Sequence, residues 1–127
     1  VWGGAQSGSF LGDGASYDPV ADTWTALPTT GAPTARSGHT MIWTGSEVIV
    51  FGGEDASGSL NTGAAFDPAT NTWRSLDNGG SPTARHNFGS VWTGDEMLVY
   101  GGRSNGSVIA TLQRLNPQPT WYFYRKL

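Results

Sequence analysis

The stretch VIVFGG, Val48–Gly53, decides the fold. Its four consecutive apolar residues suit a strand buried on both faces, because a strand with one wet face alternates. The paired glycines that follow mark a place where backbones crowd or the chain bends. The last four letters, VFGG at Val50–Gly53, return as VWGG at Val1–Gly4 and as VYGG at Val99–Gly102, 49 residues away on either side. A fixed period of that length signals a repeat architecture.

Everything around the glycines keeps the same step. Trp24 returns as Trp73, Asp18-Pro19 as Asp67-Pro68, and Trp43-Thr44-Gly45 as Trp92-Thr93-Gly94. PTAR at Pro33–Arg36 returns at Pro82–Arg85, and Pro33–Gly53 agrees with Pro82–Gly102 at 11 of 21 positions. One unit therefore reads for all. His39–Trp43 is a strand and Thr44–Glu47 a tight turn around Gly45. Val48–Phe51 is the second strand, and Glu54–Thr62 is a polar loop. Gly63–Phe66 is the third strand. Asp67–Asn71 turns the chain through an Asp-Pro pair, and Thr72–Leu76 is the fourth strand. A Gly/Pro/Ser linker leads to the next PTAR. Each unit is thus a four-stranded antiparallel meander, and such sheets bury both faces by packing against one another around an axis.

The expected fold is all-β: a propeller fragment of about two and a half blades. Residues 1–31 form an incomplete blade (strands two to four), 32–80 a complete one, and 81–127 a complete but divergent one. In the last, Leu112 stands where Gly14 and Gly63 stood, Asn116-Pro117 replaces Asp-Pro, and Trp121–Leu127 is the final strand, with Trp121 in the place of Trp24 and Trp73. Val1 falls inside a strand, so the chain reads as the C-terminal piece of something longer or as a processed product.

Composition agrees. The 127 residues include 19 Gly and 6 Trp, and 13% are charged, which suits short strands and disfavours helices. No apolar run approaches the roughly 18 residues of a membrane span. The net charge of −3 argues against a nucleic-acid partner. The absence of Cys excludes disulfides and cysteinyl metal sites. His39 matches Phe88 and His86 matches Ser37, so no zinc spacing arises. Glu54-Asp55 with Ser57 and Asn61 lacks the ordered ligand spacing of a calcium loop. Neither a metal nor a cofactor is expected.

These features resemble kelch-repeat propellers. The residues that carry the resemblance are Gly3-Gly4, Gly52-Gly53 and Gly101-Gly102, together with Tyr17…Trp24 and Phe66…Trp73. The wording from Ala35 to Trp73 is similar to bacterial members. The resemblance implies partner or ligand contacts through loops at one end of the disc. It also implies a bacterial, extracytoplasmic setting, which the low Lys content and the Ser/Thr/Gly-rich loops fit.

Loops after strands two and four emerge on one face of a meander, and binding residues favour the longer loops of a rigid scaffold. That face gathers Glu54 and Asp55, Arg103 and Asn105, Arg36 and Arg85, and His39, His86 and Asn87, which are the candidate partner-binding residues. Arg36 and Arg85 repeat in register, so bonding within the blade is preferred for them over partner contact. Arg103 does not repeat. Glu47 and Glu96 read as solvated turn residues. Trp24, Trp43, Trp73 and Trp92 read as packing between blades, with a sugar platform as the alternative for Trp2 or Trp121. Asn105-Gly106-Ser107 matches a glycosylation acceptor, a use that the bacterial character argues against.

The expected function is a non-catalytic protein- or ligand-binding scaffold with a protein or carbohydrate partner. Remaining blades or further copies of the chain would close the ring. Two alternatives stand beside it: a structural subunit of a larger assembly, and part of a carbohydrate-active kelch enzyme. Oxidase-like chemistry needs a Cys joined to Tyr, which is absent. Sialate-mutarotase-like chemistry uses scattered loop residues and stays open. Ser37, His39 and Asp55 make a trio on paper, but nothing in their spacing demands it.

Overall fold

A computed structural model describes residues 1–77, 79 and 82–117. The fold is all-β, with no helix among the described residues. The first sheet holds β1 (Trp2–Gln6), β2 (Ser9–Asp18) and β3 (Thr23–Ala26) in that order. Next come β4 (Thr40–Trp43) and β5 (Val48–Phe51), a short hairpin of β6 (Glu54–Asp55) and β7 (Gly58–Ser59), then β8 (Gly63–Asp67) and β9 (Thr72–Ser75). The second sheet has the order β4-β5-β8-β9. The third unit repeats the plan with β10 (Gly89–Trp92), β11 (Met97–Tyr100), the hairpin β12 (Arg103–Ser104) and β13 (Ser107–Val108), and β14 (Leu112–Leu115). Its sheet runs β10-β11-β14. The strand expected at Trp121–Leu127 lies outside the described residues.

The 49-residue step extends to the pairing register. Trp2 pairs with Gly14, Phe51 with Gly63 and Tyr100 with Leu112. Likewise Tyr17 pairs with Trp24 and Phe66 with Trp73. The second sheet is packed on both sides, as its apolar run requires. On one side Ile49, Phe51 and Ala65 meet Met97, Val99 and Leu115 of the third sheet. On the other, Val50, Ala64, Phe66 and Trp73 meet Trp2, with Leu27 and Ala32 at the edge. Full burial of a side chain such as Ile49 or Phe51 contributes about 1.5–3 kcal/mol. The Trp73 ring lies 4.9 Å from that of Trp2, and its Nε1 donates to the Pro28 carbonyl at 2.8 Å.

Three expectations need correction. Trp24 and Trp43 do not pack between blades; they are 58% and 52% exposed, whereas Trp73 is 8% exposed. No described sheet lies against the Trp24 face. Trp43 lines a cleft with Val1, Ala15 and Leu27 of the first unit, where no strand among the described residues stands in the position that β4 holds in the second sheet. The loop after Gly53 is not irregular but closes as the β6–β7 hairpin, held by the Asp55 carboxylate accepting from the Ser57 amide and hydroxyl. Glu47 is no free turn residue: both its oxygens take Arg74, at 2.8 and 2.6 Å, and Arg74 also donates to the Pro117 carbonyl of the third unit. Glu96 lies 3.7 Å from Arg114.

Candidate functional site

The loop face is organised by the linker arginines. Arg36 is 1% exposed and Arg85 is fully buried. Arg36 Nη1 donates to the carbonyls of Gly52 and Thr62, its Nε to the Thr34 carbonyl, and its Nη2 to the Thr34 and Thr62 hydroxyls. Arg85 repeats each bond one unit later, with Gly101, Thr111 and Thr83, and adds the Gln113 side chain. A buried guanidinium is tolerated when its donors are met in this way. Burial lowers both arginine pKa values, and the nearby Asp55 charge opposes that for Arg36. Both side chains therefore bond within their own unit, the arrangement that their repetition favours.

The backbones of the same residues tie neighbouring units together. Gly4 donates to the Arg36 carbonyl and Arg36 to that of Leu11; Gly53 donates to Arg85 and Arg85 to Leu60. The next residue turns to its own unit: Ser37 exchanges both bonds with Glu54, as His86 does with Arg103. This weave explains the paired glycines. Gly52 and Gly53 have φ of 68° and 93°, in the left-handed region. A Cβ on Gly53 would also sit 2.6 Å from the Ser37 carbonyl oxygen.

Above the weave, the two junctions differ. Between the second and third units the hairpin tips are latched. The Ser59 amide donates to Asn105 Oδ1 at 3.2 Å, and the Asn105 amide donates to Ser59 Oγ at 3.1 Å. Ser59 Oγ also lies 3.0 Å from His86 Nδ1, and His86 Nε2 lies 3.5 Å from Glu54 Oε2. Hydroxyl, imidazole and carboxylate thus form a row in the order of nucleophile, base and acid, but the hydroxyl is already held by the Asn105 amide and the imidazole is buried. The row serves as a clamp. Between the first and second units the matched positions are Phe10 for Ser59, Ala56 for Asn105, Ser37 for His86 and Ala5 for Glu54. An open groove of about 580 Å³ lies there.

Of the residues expected from sequence, Glu54, His86, Arg103 and Asn105 come together at the latched junction, and Asp55 borders the open one. Asp55 is held below the usual carboxylate range, first by the Ser57 hydroxyl and amide. His39 is placed apart, its Cβ stacked against Gly53 and its ring edge against Gly3, as Phe88 stacks on Gly102 and Gly52. Burial first, and then the Arg36 charge, push its pKa down, against a backbone hydrogen bond at Trp2; its Nδ1 has no partner. Asn87 adopts φ of 53°, and its amide donates to the Gly38 carbonyl, joining two linkers. No hydrogen bond joins the side chains of Ser37, His39 and Asp55 among the described residues. No group of three or more His, Cys, Asp or Glu is placed to hold a metal among them. Trp2 is buried in the inter-sheet core, and Trp121 lies outside the described residues. Sequence reasoning missed Ser59, Phe10 and Ala56. One available signal was Asn105-Gly106, with φ of 46° and 87°, the dipeptide of a two-residue hairpin turn.

Antiparallel sheets packed face to face in one repeated register define a β-propeller repeat module. The chain belongs to the kelch-repeat family: the model of the KLHDC2/KLHL20/DRC7 Kelch-repeats domain matches residues 1–124. No curated protein sequence matches the chain significantly. Kelch-repeat domains are propeller modules that generally bind protein partners.

Proposed function

We propose that the chain is a non-catalytic protein-binding arc of a kelch propeller, engaging its partner through the loop face. The observation that carries this is the gathering of Glu54, His86, Arg103 and Asn105 across two units on one face. A rigid woven floor beneath a chemically varied rim is the arrangement that recognition loops require. The faces at either end of the arc support a second part of the proposal. Tyr17 and Trp24 on one and Val91 and Tyr100 on the other are exposed, while their counterparts Phe66, Trp73 and Phe51 are buried and Ile42 is packed against the core between units. Apolar faces of this kind call for cover, and further blades, from the same polypeptide or from other copies, supply it. The bacterial, extracytoplasmic setting belongs to the same proposal and rests on the wording of the repeat.

Peptides selected against the folded chain from a random display library test the reading. They lose binding to the Glu54→Ala/Asp55→Ala/Arg103→Ala triple variant and keep it for Asp95→Ala, on the opposite turn face. Equal binding to all three proteins contradicts the loop-face reading.

A further inference from the structure

The two junctions share the backbone of the weave and differ above it, where Asn105 and Gly106 turn at positive φ and their counterparts Ala56 and Ser57 do not. At the latched junction, the outward amides of Ser59 and Asn105 are met by side-chain oxygens of the facing hairpin. At the open junction, Phe10 pairs with Ala5, as Ser59 pairs with Glu54, so its amide turns away from its own hairpin. No side-chain oxygen accepts from the Phe10 amide among the described residues, since an alanine, Ala56, stands where Asn105 stands one junction later. The groove at this junction is lined by Phe10, Ala35 and Ala56, with Thr34 and Ser57 beside them. Asp55 stands on its wall as an anionic group.

We propose that this groove is the docking site for an extended peptide segment that presents an arginine or lysine beside an apolar side chain. The outward Phe10 amide takes a main-chain carbonyl, as its counterpart at Ser59 takes the Asn105 side-chain oxygen one junction later. The apolar side chain lies on Phe10, and the cation pairs with the Asp55 carboxylate. Arg36 does not compete for that carboxylate, since its donors are spent on Thr34, Gly52 and Thr62. The chain's net charge of −3 favours the same sign of partner. The inference rests on the loop-face reading and assigns it a ligand chemistry.

The probe is an acetylated, fluorescein-labelled decapeptide of serine and glycine with a central leucine-arginine-leucine, compared with its glutamate-for-arginine counterpart. Fluorescence anisotropy with the full 127-residue chain shows the arginine peptide binding at least roughly tenfold more tightly than the glutamate one. Asp55→Asn, which keeps an oxygen for the Ser57 bonds, weakens the arginine peptide about tenfold. The Phe10→Ser/Ala56→Asn double variant gives the open junction the side chains of the latched one and abolishes binding without lowering the melting temperature. Equal affinity for the two peptides, no binding of either, or unchanged binding to the Asp55 variant overturns the proposal. The Asp55 variant decides alone if the double variant does not fold. Should the decapeptide fail while library-selected peptides still depend on Glu54, Asp55 and Arg103, the groove assignment falls and the loop-face function stands.

Discussion

The junction between the first and second units and the junction between the second and third are the same structure up to the level of the weave. Gly4, Leu11 and Arg36 bond as Gly53, Leu60 and Arg85 do, each 49 residues on. Above that level they part. One is clamped by Ser59, His86, Glu54 and Asn105, and the other, with Phe10, Ser37, Ala5 and Ala56 in those places, is open. The difference teaches how a repeat divides its labour. The buried polar atoms of the linker have no alternative partners, so they recur unchanged. The rim is half in water, where an unmet amide costs little, so its residues are free to differ.

The largest effects should fall on what the junctions share. Arg36→Ala and Arg85→Ala strand the buried carbonyls of Gly52 and Gly101 and remove a fully bonded guanidinium from the core of the linker, and each should cost about 3 kcal/mol or more in chemical denaturation. A loss at only one of them would break the equivalence of the two junctions. The paired glycines should separate next. Gly53→Ala meets the Ser37 carbonyl and should cost about 2–4 kcal/mol. Its counterpart Gly4→Ala, at φ of 116° with nothing within 4 Å, should cost only the backbone term of about 1–2 kcal/mol. Asn105→Ala removes the latch and should cost about 1 kcal/mol; Ala56→Ser in the open junction should be neutral by the same assay.

The smallest expected effect concerns pH. His39 holds a folded pKa below its ordinary value of about 6.5. The stability it gains by staying neutral is present above that value and is lost as pH falls through the folded pKa. His39→Phe, which copies the residue at the matched position 88, should flatten the decline in melting temperature below about pH 6. An unchanged slope would assign the decline to other groups.

Much of this fold was legible because the repeat compares the chain with itself. Strand bounds followed from the apolar run at Val48–Phe51 and the Asp-Pro turn at Asp67, both local properties. The preference for bonding within the blade at Arg36 and Arg85 followed from their shared register. What the sequence withheld depends on neighbours. Tyr17-Trp24 and Phe66-Trp73 are alike as letters, yet among the described residues only the second pair has a sheet against it. Ser59 meets Asn105 across 46 residues, through a hairpin whose existence only Asn105-Gly106 announced. The sequence grouped Glu54, His86, Arg103 and Asn105, which the structure brings together, but no spacing could say that one junction would close and the other stay open.

Amide hydrogen exchange resolved at matched residues tests this asymmetry most directly. The account predicts slow exchange for the Ser59 and Asn105 amides and fast exchange for those of Phe10 and Ala56, with Gly53 and Gly4 equally protected below them. Equal protection of Phe10 and Ser59 would contradict it.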